Sequence, residues 1–80
     1  MSRLEEKLIE LRYKEVCKNL YRKDRIYFAL HKNHMLDWWL DVGKVRTKYD
    51  IKYIVDNTEY YFELIKIMWK DLEVLKQCQD

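Results

Sequence analysis

The sequence predicts an α+β fold, with a short N-terminal helix, a three-stranded antiparallel meander and a long C-terminal helix packed on one sheet face. Apolar residues alternate at every second position over residues 26–30 and 36–42, then recur mostly every three or four positions from residue 51 to residue 75. The chain of 80 residues is long enough for one compact domain, residues 1–80, and 49% of it is hydrophobic. One glycine and no proline exclude collagen-like and turn-rich all-β classes.

The first helix is predicted from its starting signal. Ser2 is a suitable N-cap, and Glu5 follows three residues later, which is the pattern of a capping box. Leu4, Leu8 and Leu11 then recur at helical spacing. These residues predict a helix over residues 3–12.

The meander is predicted from two alternating segments. One face of a strand would carry Ile26, Phe28 and Leu30, and a second strand would run from Leu36 to Val42. A weaker strand between residues 16 and 20 precedes them, with turns at residues 22–24 and 32–34. An all-α bundle remains open, because no proline forbids a helix through residues 25–42 and the early apolar residues also fit a longer first helix.

The C-terminal helix is predicted over residues 48–78, with Thr47 as its N-cap and Asp50 three residues later. A continuous helix is the preferred interpretation. The segment from Asp56 to Glu59 is the one place where it would break, because these residues resemble a second cap.

The predicted long helix has two apolar stripes. The first is about 160° wide at about 100° per residue, and we interpret it as core; it comprises Ile51, Ile54, Val55, Thr58, Tyr61, Phe62, Ile65, Met68, Trp69, Leu72 and Leu75. The second, at seven-residue spacing, comprises Tyr53, Tyr60, Ile67 and Val74. Either the N-terminal helix covers this second stripe, or a second copy of the chain or a foreign protein does.

The predicted lengths favour an external partner for the second stripe. A helix of about 46 Å would overhang a sheet whose strands are about 23 Å long. If the overhang carries Ile67 and Val74, it exposes an apolar patch of the kind that marks interfaces.

The outer face of the predicted sheet is the other candidate surface. Tyr27, Ala29, Asp37, Trp39 and Asp41 would point outward, and Tyr21 joins them if the first strand keeps its phase. Such aromatic residues bind proteins, or stack on single-stranded nucleic acid when basic residues lie nearby, or simply form an ordinary solvated face. The nucleic-acid alternative uses Tyr21, Arg22, Lys23, Arg25, Tyr27 and Trp39. The carboxylates of Asp37 and Asp41 count against it, because they repel phosphate.

Catalytic and metal-binding motifs are missing from the sequence, which has no phosphate-binding glycine loop, metalloprotease motif or nucleophile elbow. His31 and His34 lie near Asp37 but are too few for a convincing metal site, and Cys17 and Cys78 match no zinc or disulfide spacing. We therefore expect no enzyme activity, no metal and no cofactor. No apolar run approaches the length of a membrane span or a signal peptide, so a cytoplasmic location with reduced thiols is expected.

The charge is uneven along the chain. The net charge is +2, but residues 1–25 carry +3, residues 26–55 carry +2 and residues 56–80 carry −3. We predict a small non-enzymatic protein that binds or occludes a macromolecular partner through Tyr53, Tyr60, Ile67, Val74, Tyr27 and Trp39, with self-association as one form. Size and economy alone point to an inhibitor or adaptor from a phage or mobile element, such as an anti-defence protein.

Overall fold

The computed structural model describes residues 2–32, 35–43 and 45–78, and within them it has three helices and one sheet of four antiparallel strands. The elements are α1 (Arg3–Glu10), β1 (Lys14–Cys17), β2 (Leu20–Lys23), β3 (Ile26–Leu30), β4 (Leu36–Leu40), α2 (Lys48–Asp56) and α3 (Thr58–Lys76). The strands lie in sequence order in the sheet. The predicted α+β class is confirmed, and the all-α alternative is wrong.

The start of α1 follows the capping signal. The Ser2 hydroxyl oxygen accepts a hydrogen bond from the Glu5 backbone N–H at 3.1 Å. The helix ends at Glu10 rather than at residue 12, because Arg12 adopts a left-handed backbone conformation with φ of 72°. That reversal brings Tyr13 into the core and starts β1 directly afterwards.

The sheet has four strands rather than the predicted three. Asn19, with φ of 64°, lies in a tight turn between β1 and β2, where a single weak strand was predicted. Asp24, with φ of 55°, makes the next turn, so Arg22 and Lys23 belong to β2 and not to a turn. Asn and Asp tolerate this left-handed region better than most residues do, so each reverses the chain in a tight turn. The prediction for residues 32–34 includes Asn33 and His34, which lie outside the described residues.

The register of the sheet shows which residues share its buried face. Tyr21 lies opposite Phe28, and Phe28 lies opposite Trp38, so the three side chains share one face. Tyr21 is only 4% exposed, and burial together with its contact to Glu15 raises its pKa to about 12. The prediction that Tyr21 joins the outer face is wrong, because β2 is out of phase with the predicted strand by one residue, which reverses every side chain.

The C-terminal helical segment is interrupted at Asn57, so the preferred continuous helix is wrong and the alternative, a break between Asp56 and Glu59, is correct. Two side chains compete with helical bonding there. The Asn57 amide donates to the Tyr53 carbonyl at 2.7 Å, and the Thr58 hydroxyl donates to the Val55 carbonyl at 2.7 Å. At the other end of α2, the predicted cap is confirmed, because Thr47 and Asp50 form a reciprocal capping box.

The two helices follow each other nearly in line. Backbone bonds of the α-helical type run from Asn57 N–H to the Tyr53 carbonyl and from Tyr61 N–H to the Asn57 carbonyl. The longest dimension of the molecule is 44 Å, which is close to the length of about 44 Å expected for a helix from Lys48 to Lys76. The interruption at Asn57 therefore leaves α2 extending α3 outward.

One apolar cluster forms the core. Its buried members come from α1, β2, β3 and α3, from the residue just before β1 and from the segment just after α3. They are Leu4, Leu8, Tyr13, Tyr21, Ile26, Phe28, Tyr61, Leu64, Met68, Leu72, Leu75 and Cys78. Leu30, Leu36, Trp38 and Leu40 pack against it from the same face of β3 and β4, as the alternation predicts. Helix α2 adds only the partly buried Ile54.

A buried carboxylate lies within this core. Asp71 is 5% exposed, and its Oδ2 atom accepts a hydrogen bond from the Tyr13 hydroxyl at 2.7 Å and one from the Lys23 ammonium at 2.8 Å. The same ammonium donates to the Leu11 carbonyl at 3.0 Å and lies 4.5 Å from the centre of the Tyr13 ring. Burial and the bond to Asp71 raise the pKa of the Tyr13 hydroxyl well above its ordinary value. This network joins the end of α1, β2 and α3.

We expect Lys23→Met to lower the free energy of unfolding by about 2–3 kcal/mol, because it leaves the Asp71 carboxylate buried without its cation. The measurement is urea unfolding followed by far-UV circular dichroism. The matched control is Lys66→Met, which removes an exposed ion pair with Glu63 at 3.1 Å and should cost less than about 1 kcal/mol. Equal losses in the two variants would contradict the role assigned to Lys23.

Candidate interaction surfaces

The first stripe of the long helix is divided by the fold. Tyr61, Met68, Leu72 and Leu75 are buried. The other edge of the stripe, which we call the outer stripe, is exposed: Ile51 by 52%, Val55 by 62%, Phe62 by 58% and Trp69 by 49%. The prediction that the whole stripe is core is therefore wrong.

The division follows from how α3 is rotated about its axis. Leu64 and Asp71 lie beside the first stripe on the helix surface, and both are buried. Helix α1 lies beside α3, and its Leu4 and Leu8 belong to the same core cluster. The buried face of α3 is therefore centred nearer to Leu64 than the sequence pattern indicates. A buried face displaced in that direction leaves the opposite edge of the first stripe in solvent.

The second stripe does not form one continuous exposed patch. Tyr53, Tyr60 and Ile67 are 52%, 40% and 41% exposed, whereas Val74 is partly buried. The Tyr60 hydroxyl donates to the Asp24 carboxylate at 2.6 Å, which ties α3 to the turn between β2 and β3 and raises the pKa of that hydroxyl. Tyr60 thus has a polar partner within its own chain, while Tyr53 and Ile67 keep about half of their surface in solvent.

The overhang lies at the opposite end of the helical segment from the one predicted. The part of α3 around Ile67 and Val74 lies over the core, because Leu72 and Leu75 are 0% exposed. Helix α2 has no buried residue at all, and Tyr49 in its first turn is 84% exposed. We call α2 the helical arm. The outer stripe begins on this arm and continues along α3.

The outer sheet face carries a stacked aromatic pair. The rings of Tyr27 and Trp39 are parallel within 3°, with their centroids 5.3 Å apart, and Trp39 is 42% exposed. The strand register places Lys14 opposite Arg22, Arg22 opposite Tyr27, and Tyr27 opposite Trp39. These four residues form one row across all four strands, which we call the sheet row. Lys14 was missed at the sequence level because β1 was not recognised there as a separate strand.

The predicted basic hairpin is only partly available for binding. The Lys23 ammonium is bound to Asp71 inside the protein, and the Arg25 guanidinium lies 5.8 Å from the centre of the Tyr61 ring. Arg22 is exposed. Of the six residues predicted for a nucleic-acid surface, the structure therefore brings three together on the outer face: Arg22, Tyr27 and Trp39.

The two acidic residues of the outer face have local partners. The Asp37 carboxylate lies 2.6 Å from the His31 Nε2 atom, and the Asp41 carboxylate accepts a hydrogen bond from the Gly43 N–H at 2.8 Å. His34, the other predicted histidine, lies outside the described residues. Among residues 2–32, 35–43 and 45–78, no three His, Cys, Asp or Glu side chains cluster as metal ligands would. Cys17 is exposed and Cys78 is buried, and neither is in a disulfide bond.

Comparison with known proteins finds no matching family model, no matching curated protein and no matching solved structure. Within the part of the chain that the structure describes, no helix combines the length and apolar character that a membrane span requires.

We expect Tyr27 and Trp39 to stabilise each other across the sheet. In a double-mutant cycle with Tyr27→Leu and Trp39→Leu, the coupling energy should be about 0.5–1 kcal/mol, because offset aromatic stacking adds to the burial of area. Urea unfolding of the four proteins measures it. A parallel cycle on Tyr27 and Ile9, which lies on α1 and outside the sheet, should give a coupling near zero. Additive losses for Tyr27 and Trp39 would show that the stack contributes nothing.

Proposed function

We propose that this protein is a non-enzymatic interaction module that binds or occludes a protein partner through the helical arm and the outer stripe. The observation that carries the proposal is that α2 buries none of its residues, although its sequence includes Ile51, Val55 and two tyrosines. A module of this kind acts in the cytoplasm as an inhibitor or an adaptor, and a phage or mobile-element origin fits its small size.

The stability of the arm supports this proposal. An isolated helix of nine residues has only marginal stability in water. Helix α2 gains little further stability from the core of the protein, because only Ile54 packs against it. Its order rests on the capping box at Thr47, on the hydrogen bonds of Asn57 and Thr58 to its last carbonyls, and on the backbone bonds that continue into α3. A protein that covers the arm would bury its apolar side chains and stabilise it further.

The shape of the exposed surface also supports a protein partner. The outer stripe recurs at helical spacing from Ile51 to Trp69, and charged residues flank it on one side. An amphipathic helix of this form binds in an apolar groove or against another helix. Phe62 and Trp69 are the large aromatic side chains that dominate binding energy at such interfaces. Tyr53 and Ile67 lie on a neighbouring side of the same helices and would contact the rim of a broad partner.

Ile51→Glu should abolish capture of a protein partner from extracts of the native cell, because it places a carboxylate in the apolar contact. The measurement is affinity capture on immobilised protein, quantified by mass spectrometry. Ile9→Glu is a matched control, since Ile9 on α1 is 50% exposed and Ile51 is 52% exposed. Both variants should keep the wild-type circular dichroism spectrum. Unchanged capture by Ile51→Glu would contradict the proposal.

The sheet row favours a second candidate function, which is binding of single-stranded nucleic acid. Its aromatic pair offers a stacking surface, and Lys14 and Arg22 in the same row supply positive charge for the phosphates. The local partners of Asp37 and Asp41 lessen the repulsion expected from these carboxylates. The small net charge of +2 keeps this candidate second.

If the sheet row binds nucleic acid, short single-stranded oligonucleotides should quench tryptophan fluorescence at low salt, and added salt should reverse the quenching. Arg22→Glu should remove the response, because it reverses the charge beside the stack. Arg46→Glu is the control, since Arg46 lies outside the sheet, before α2. An unresponsive wild-type protein at low salt would eliminate this candidate.

A further inference from the structure

The outer stripe has the spacing of a coiled-coil seam. Its exposed members, together with one threonine and one partly buried isoleucine, recur at intervals of four, three, four, three and four: Ile51, Val55, Thr58, Phe62, Ile65 and Trp69. This repeat is the one that lets two helices pack with side chains interlocking along a seam. The seam starts on the helical arm, which has no buried residue of its own.

The charges beside the seam alternate in sign. Lys52, Glu59 and Lys66 follow each other at seven-residue spacing, and all three are exposed. They flank the seam on the side away from the core of the protein. The positions on the other flank include Tyr61 and Met68, which are buried in that core and cannot reach a partner. Any ion pair across the seam must therefore use the alternating flank of both helices, which is the contact that antiparallel helices make.

We infer that the partner on the outer stripe is a second copy of this chain, packed antiparallel about a twofold axis that passes between Asp56 and Asn57. In this register Ile51 of one copy faces Phe62 of the other, and Val55 faces Thr58. Lys52 of each copy then lies beside Glu59 of the other, so the twofold axis creates two ion pairs of opposite charge. This inference rests on the proposed function and names the occupant of the part of that surface that runs from Ile51 to Phe62.

The alternative registers are disfavoured by charge or by burial. Moving the twofold axis half a heptad towards the C-terminus would place Lys52 beside Lys66 of the other copy, and the two Glu59 side chains beside each other. Moving it half a heptad towards the N-terminus would place the two Lys52 side chains beside each other. Like charges at these contacts are repulsive. A shift of a full heptad towards the C-terminus also pairs opposite charges, Glu59 with Lys66. However, it leaves Ile51 out of the seam and places Val55 opposite Leu72, which is 0% exposed because it fills the core. The register centred beside Asn57 pairs opposite charges and uses residues with exposed surface.

The wild-type protein should sediment as a dimer in analytical ultracentrifugation, and Val55→Glu should raise the dissociation constant by at least about a hundredfold. Lys52→Glu alone and Glu59→Lys alone should each raise it on the order of tenfold. The double variant Lys52→Glu with Glu59→Lys restores both pairs with reversed signs, and its constant should return to the wild-type range. Tyr49→Glu is the control, because Tyr49 is 84% exposed on the same arm but lies off the seam; it should leave the dimer intact.

A wild-type protein that stays monomeric at high concentration overturns the dimer. A double charge variant that stays as weak as its single variants overturns the register. These outcomes are separate from the proposed function, which is tested by capture on the Ile51→Glu variant. A monomer that still captures a foreign protein through the outer stripe keeps the proposed function and rejects the dimer. A dimer that captures other proteins equally well with and without Ile51→Glu keeps the dimer and rejects the proposed function.

Discussion

The buried carboxylate of Asp71 determines how α3 lies against the sheet. Its oxygen accepts hydrogen bonds from Tyr13, just after α1, and from Lys23 on β2. A carboxylate buried without such partners would cost several kcal/mol, so α3 must keep Asp71 turned toward them. Since Asp71 lies at the edge of the apolar stripe that is nearer to Leu64, this requirement rotates α3 in that direction. One polar contact therefore decides which apolar side chains enter the core.

The exposed surface of the protein follows from that rotation. With Leu64 and Asp71 turned inward, Phe62 and Trp69 are displaced outward. Among the residues that the structure describes, the sheet has no fifth strand to cover them. The same line of residues continues onto α2, where Ile51 and Val55 have no core beneath them. Apolar surface at these positions lowers the stability of the isolated chain. An exposed apolar stripe of this kind is typical of surfaces that contact a partner.

Local signals predicted much of this fold, and long-range contacts account for what was missed. The caps at Ser2 and Thr47 and the alternation in β3 and β4 depend on neighbouring residues only, so the sequence showed them. Tyr21 was predicted on the wrong face of the sheet, because its orientation depends on the tight turn at Asn19. The weak apolar pattern of residues 16–20 gave no sign of that turn. The buried role of Asp71 was not predicted, because its partners are 48 and 58 positions away in the chain. The outer stripe was predicted as core for the same reason, because the rotation of α3 depends on these distant contacts.

The two candidate surfaces lie on opposite sides of the sheet. Trp38 on the inner face contacts Trp69 of α3 at 6.3 Å between ring centroids, whereas Tyr27 and Trp39 point away from the helices. A dimer formed through the outer stripe would therefore leave both copies of the sheet row uncovered. If the sheet row binds a repetitive or symmetric partner, two identical rows held by one twofold axis would bind it far more tightly than one row would, because the second contact would be intramolecular. Self-association through the arm and recognition through the sheet would in that case reinforce each other rather than compete.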